Sequence, residues 1–457
     1  MVRLTGQLVI TGLLLYLCGC LHRQPTPAGN ALLPDGEPDI GLVPSLAGAP
    51  VDRDYEPFIR DVAEGRRQLR GAMVLLGAAE GDFEQAVKDL RRLKSYGANH
   101  VRLYMNPTTG LLGTEIQRHR ERLSGPDWWQ VTGQYLKQRW LPVFAELDLP
   151  VILLLYLPEE STKDPRGAFW TDRGARERYA EYAVNMARLL QDEPAVIGYD
   201  LLNEPVPPGC VNEANGSYWW TWSVDRARED VPDGDRVLSE LYNTIITGIR
   251  RFDRHRLLVL EPGPWGLPWA FPALLEVQDD PRLVFSCHHY TPHALTHWGR
   301  DAWEKQDPSL LGPPDSRPCY PDPEKGWDRD LIAGMFETVE AFRGERERRT
   351  GKPCPVWIGE FGMWRWLDEQ SLCAWFRDSL ELMEERGYGW AYFVYAAGVN
   401  VWWDGMTQDG PEGEALDMHR YLAARREIDV GYFRQLRTHV RPSFEIVIEF
   451  MRRNREP

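Results

Sequence analysis

Eight short apolar runs constrain this chain more than any other feature. Each is separated from the next by a longer segment with polar and apolar faces. The runs lie near Leu69 to Leu76, Asn99 to Met105, Pro150 to Tyr156, Val196 to Asn203, Arg256 to Glu261, Leu283 to His288, Pro355 to Glu360 and Trp390 to Tyr395. Between them, Phe83 to Tyr96, Gln134 to Glu146, Ala175 to Gln191, Arg236 to Arg251, Asp328 to Arg348 and Asp368 to Glu385 carry helical spacing. Strand and helix in alternation make a parallel sheet. Eight such units suffice to close a (β/α)8 (TIM) barrel, whereas an open doubly wound sheet usually has fewer strands and a Gly-rich first turn that is missing here. The expected fold is therefore an α/β barrel over residues 56–457. Long βα loops and a helical extension built from His419 to Ile428 and Phe444 to Arg453 complete it.

In such a barrel the chemistry sits at the C-terminal ends of the strands and in the loops that follow. A polar residue that closes an apolar run is then a candidate. These are Arg102 and Tyr104, Asn203 and Glu204, Glu261, His288 with His289 and Tyr290, and Glu360. Carboxylates in such places are costly to bury without a partner, so they need a reason. Glu204 ends the fourth run and Glu360 the seventh. Strands three apart in a ring of eight face each other across the mouth, so the two carboxylates can converge on one ligand. The polar stretches 206–234 and 291–327, rich in Pro, Gly and Trp, are expected to wall that mouth.

Asn203-Glu204-Pro205 after the fourth strand, His288-x-Tyr290 after the sixth and Trp357-Ile358-Gly359-Glu360-Phe361-Gly362 at the seventh together resemble glycoside hydrolase family 5, of the retaining clan A barrels. The likeness spans roughly residues 65 to 405. It implies a double displacement on a β-linked sugar, with Glu360 as nucleophile, Glu204 as acid/base and no metal or cofactor. It further implies that Asn203 binds the sugar 2-hydroxyl, that Tyr290 donates to Glu360 and that His288 lines the same subsite. Arg102 matches the family's second-strand arginine, whose charge would keep Glu360 ionised. The physical logic runs in parallel: two carboxyls roughly 5 to 5.5 Å apart resist double ionisation, so one pKa is expected to rise and the roles to split.

Two positions depart from the family pattern. Tyr156 stands where many members have a histidine, and Tyr392-Phe393 where strand eight usually offers a tryptophan. Trp402 and Trp403, or Trp390, are candidates for the missing ring, with core packing as the alternative for each. Trp128, Trp129, Trp219, Trp220, Trp222 and Trp265 are further candidates for sugar-stacking walls, again with packing as the alternative.

The 19 Trp, 18 Tyr and 15 Phe suit sugar faces, since flat rings cover apolar C–H surfaces while Tyr and Trp keep a polar handle. A formal net charge of -15 argues against a nucleic-acid partner, which needs a basic face. Glucan, mannan and glycolipid headgroup all stay open as substrates. A non-catalytic glycan-binding protein on the same barrel is a rival reading. Another is a zinc hydrolase using His289, His293 and His297, with Glu261, although Pro292 interrupts that spacing.

At the N-terminus, Arg3 precedes an apolar stretch from Leu8 to Leu17, about half the length a membrane-spanning helix needs. Leu17-Cys18-Gly19-Cys20 resembles the lipobox of bacterial lipoproteins. That implies a signal peptide over 1–19, lipidation of Cys20 and a Pro- and Gly-rich tether over 20–55. An ordinary secretory signal is the alternative. Either way export is expected, and if Cys20 is lipidated the lipid would hold a monomer at the bacterial membrane, periplasmic or at the cell surface. Cys287 and Cys354 lie too far apart along adjacent strands to bridge, and Cys210 and Cys319, both in long mouth loops, are the best disulfide candidates.

Overall fold

The structure is a computed structural model that describes residues 53–75, 83–104, 128–155, 162–163, 167–207, 235–300, 302, 307–311, 313, 316–364, 367–395, 406–407 and 439–455. Eight parallel strands close into one barrel in chain order. They are β1 (Arg70–Leu75), β2 (Val101–Tyr104), β3 (Val151–Leu154), β4 (Val196–Asp200), β5 (Leu257–Leu260), β6 (Leu283–His289), β7 (Val356–Phe361) and β8 (Gly389–Tyr395). β4 stops at Asp200 and β5 at Leu260, so Asn203, Glu204 and Glu261 stand just above the strands rather than in them.

The expected helices are present with shifted ends. Asp328 and Asp368 turn out to be N-caps, accepting from the backbone N–H of Leu331 at 3.0 Å and of Ser371 at 2.8 Å, so their helices begin one residue later. The helix expected from Gln134 already starts at Trp128 and passes through a π-helical turn, Leu136–Trp140, before ending at Glu146. This places Trp129 half-buried against the main core, the packing alternative.

The barrel is filled from inside by Ile152, Ile197, Leu257, Val259, Val284 and Trp357. The helix Glu56–Ala63 presses Ile59, Val62 and Ala63 into the same cluster. The larger core lies between the strands' outer faces and the helices. Trp390 is fully buried there with its indole on Glu384 at 3.1 Å, so it is a packing residue and not the missing platform. The helix Pro442–Arg452 forms the C-terminal extension. Phe444 stacks on Tyr395, and Glu369 accepts from Arg441 Nε at 3.0 Å and from the Ser443 N–H at 2.7 Å.

One glycine is dictated by register. A Cβ on Gly359 would lie 2.5 Å from Ser286 Oγ on β6. The close approach fits the shift in β6–β7 pairing between Cys287 and His288, after which His288 stands beside Glu360. Residues 1–52, and with them Cys20, the signal peptide and most of the tether, lie outside the described residues, as do Tyr156, Cys210, Trp219, Trp220, Trp222, Trp402, Trp403 and 419–428. Cys319 is a free, exposed thiol, and Cys210, its expected partner, lies outside the described residues. Cys287 and Cys354 are also free.

Candidate active site

Arg102 organises the mouth of the barrel from its centre. Its side chain is fully buried, and it points up from β2 into a ring of acids. Nε donates to Asp200 Oδ2 at 2.8 Å, Nη2 to Glu261 Oε1 at 2.7 Å and to Asn203 Oδ1 at 2.9 Å, and Nη1 to Glu360 Oε1. A planar guanidinium can hold several acceptors in fixed directions at once, which an ammonium cannot. Tyr290, following β6, donates its hydroxyl to Glu360 Oε2 at 2.8 Å, so both oxygens of that carboxylate are held.

His288 bridges the acids on the other side. Nδ1 lies 2.8 Å from Glu204 Oε1 and Nε2 lies 3.0 Å from Glu261 Oε1. Burial disfavours a charge on this ring, but Glu261, Glu360 and the bond to Glu204 outweigh it and push its pKa up to about 10. The imidazolium therefore donates from both nitrogens at neutral pH. Glu204 also takes a bond from the Lys163 ammonium. Burial alone would raise the Glu204 pKa. Lys163 and His288 reverse that and hold it well below the usual carboxylate range. The expected rise on Glu204 does not occur, because two cations face it and outweigh the second carboxylate.

Glu204 sits in the left-handed region at φ 46°, a conformation that costs an ordinary residue about 1–3 kcal/mol and is met mainly where function demands it. Its N–H donates to Glu261 Oε2 at 2.7 Å, which helps hold the turn. The outcome is convergence. Ligand atoms of Glu204, His288 and Glu360 all lie within 4.8 Å of one another. Those three could hold a cation by spacing alone, but the Glu204 and Glu360 carboxylates are already engaged by Lys163, His288, Arg102 and Tyr290. The proposed zinc triad does not assemble. His289 is fully buried, bonded to Ser379 Oγ at 2.9 Å and stacked on Trp375, while His293 and His297 stack on each other with centroids 3.7 Å apart.

The arrangement is thus two carboxylates from opposite sides of a barrel mouth, with an oxygen of each within 4.8 Å of the other. Retaining glycosidases need such a pair at about 5 to 5.5 Å, whereas inverting ones need about 6.5 to 9.5 Å. Residues 79–398 match the family model described as cellulase, glycosyl hydrolase family 5. The chain belongs to glycosyl hydrolase family 5. The family is one of glycosyl hydrolases, and the close approach of Glu204 and Glu360 fits that chemistry.

Similar proteins agree at the level of fold. A curated relative, Endoglucanase H of Acetivibrio thermocellus, is 22% identical over 156 residues, 34% of this chain and 14% of its own length. The match therefore spans only a small part of that relative. Among solved structures, the Clostridial cellulose synthase subunit Z (CcsZ) of Clostridioides difficile is 18% identical with a TM-score of 0.51, covering 78% of this chain and 99% of its own. A hyperthermophilic endo-beta-1,4-glucanase solved with substrate is 17% identical with a TM-score of 0.51, covering 80% and 98%.

Of the residues read from the sequence of this family 5 enzyme, Arg102, Asn203, Glu204, His288, Tyr290 and Glu360 meet in one cluster. Phe393, where the family usually has tryptophan, is half-buried with its edge toward Tyr290 at 6.3 Å. Trp265, a candidate wall, is buried against Val206.

Two further members of the cluster, Lys163 and Asp200, are not strand-end candidates in the sequence. Lys163 lies in a polar segment with nothing to mark it. Asp200 does carry a signal, since an acid inside an apolar strand requires a partner. Burial pushes the Asp200 pKa up to about 7, with Arg102 opposing and Glu261 assisting. Its Oδ1 has no hydrogen-bond partner, which suits a carboxyl that holds its proton. The unfolded chain releases that proton near pH 4 and the fold near 7, so the folded state binds more protons in between. Stability of the wild type relative to D200N is expected to fall as pH rises from about 4 to 7 and to level off above. Melting temperatures of both proteins across that range would check it. A constant difference would show that Asp200 is ionised throughout.

Proposed function

We propose that this enzyme hydrolyses β-1,4-linked glucan or mannan chains by double displacement, with Glu360 as nucleophile and Glu204 as acid/base. The observation that carries the reading is the approach of Glu204 and Glu360 within one cluster. In the first step a Glu360 oxygen attacks the anomeric carbon while the bond to the departing oxygen breaks and Glu204 gives that oxygen its proton. In the second, Glu204 takes a proton from water, the water oxygen attacks the anomeric carbon and the ester to Glu360 breaks. Glu204 ends protonated, ready for the next cycle. Arg102 and Tyr290 fix the nucleophile's carboxylate, and Asn203, its Oδ1 engaged by Arg102, is oriented to offer its amide to the sugar 2-hydroxyl. The names of the similar endoglucanases favour a β-1,4-glucan over other chains. A panel of cello-, manno- and mixed β-linked oligosaccharides tests this. Cleavage of the β-1,4-linked members is expected, and binding without turnover across the panel would contradict it.

The N-terminal pattern supports export with a lipid on Cys20, which would tether the barrel at a membrane surface. Expressed in a bacterial host, the wild type is expected to partition into the detergent phase and C20S into the aqueous phase. Equal partitioning of the two would remove the anchor.

A further inference from the structure

Glu204 must be an acid in one half-reaction and a base in the other, and the structure surrounds it with more positive charge than the first role favours. Lys163 lies between β3 and the short helix Ala168–Thr171, and its place is built rather than incidental. The carbonyl of the preceding Thr162 accepts from the Val206 N–H at 2.9 Å and from the Trp170 indole at 2.9 Å. Those two bonds tie the lysine's segment to the turn that carries Glu204. Lys163 is only 7% exposed, and its ammonium donates to Glu204 Oε2 while His288 occupies Oε1 at 2.8 Å. A buried ammonium is costly without a charged acceptor, so the pair is mutually dependent.

We infer that Lys163 is a positioning residue for Glu204, favouring the carboxylate that the water step uses over the carboxylic acid that the leaving-group step uses; this role rests on Glu204 being the acid/base. The other groups around Glu204 do not duplicate it. His288, from β6, is shared with Glu261 and Glu360, and Tyr290 faces Glu360. Glu261 accepts the Glu204 N–H, and His293, from the helix His293–Thr296, is held neutral chiefly by burial. Glu360 is a like charge and acts in the opposite direction. Lys163 is the cation placed on Glu204 from outside this shared network. The consequence is chemical: substrates with poor leaving groups, which depend on an acid, turn over at lower pH than they would without it.

The test is the pH profile of kcat/KM, whose alkaline limb reports the acid in the free enzyme. An unactivated β-1,4-oligosaccharide and a 2,4-dinitrophenyl glycoside, whose leaving group needs no proton, are compared in wild type, K163M, K163Q, K163R and E204A. On the oligosaccharide, K163M and K163Q are expected to move the alkaline limb up by about 1–3 pH units, since a neighbouring cation depresses a carboxyl by about that much. K163R keeps the charge and should keep the wild-type position, and the dinitrophenyl profile should not move. K163Q serves if K163M fails to fold, because it retains a hydrogen-bond donor. An unmoved limb in the folded neutral variants, beside a limb abolished in E204A, would overturn the inference alone. A limb that persists in E204A would overturn the acid/base assignment and the inference with it.

Discussion

Replacing Glu360 with alanine is expected to lower kcat/KM on a β-1,4-linked oligosaccharide by roughly 10⁴-fold or more, as removal of a covalent nucleophile does elsewhere. The fold should survive, because Arg102 keeps Asp200 and Glu261 as partners when Glu360 is gone. Steady-state kinetics on the folded variant would show it, and activity close to wild type would reject the nucleophile assignment. Glu204→Ala should behave differently. On an activated aryl glycoside it is expected to lose roughly 10²–10⁴-fold, the usual share of a general acid/base, and to regain turnover with azide. The product should be the β-glycosyl azide, since a small anion then replaces the water that Glu204 would have deprotonated. An azide-insensitive variant would place the acid/base elsewhere.

The second large effect is on stability. Arg102→Met is expected to destabilise the protein by about 3–5 kcal/mol, the cost of leaving buried charges without their partner. The size comes from the acids that the guanidinium holds. At pH 8, where Asp200 is ionised, Asp200 and Glu261 are fully buried charges and Glu360 nearly so, and all three share Arg102. His288 still faces Glu261 and Glu360, but it cannot also reach Asp200 from its observed bonds. Urea unfolding monitored by tryptophan fluorescence measures the difference. An unchanged midpoint would mean that these acids take up protons in the fold without penalty, and that Arg102 serves the chemistry alone.

The fold is legible in the sequence because a barrel repeats one unit eight times, and each apolar run needs only to be recognised as buried on both faces. Its ends are less legible. Asn203 and Glu261 look like strand termini because their runs stay apolar up to them, yet the hydrogen-bonded ladders close at Asp200 and Leu260. The carboxylate pair is legible because a carboxylate that closes an apolar run is too costly to bury unless a partner or a reaction employs it. Lys163 is not, because its meaning comes from a contact between segments 41 residues apart in the chain, and a lysine in a polar loop usually points to solvent. Trp129 and Trp390 show the opposite limit. A tryptophan suits sugar and core alike, and only the position of its helix or strand decides for the core.

The most direct trial of the retaining mechanism is ¹H NMR of the first-formed product during hydrolysis of a β-linked oligosaccharide, before mutarotation mixes the anomers. Two carboxylates this close predict that the β-anomer appears first and the α-anomer only later. Initial release of the α-anomer would mean a single displacement by water, and would contradict the roles given to Glu204 and Glu360.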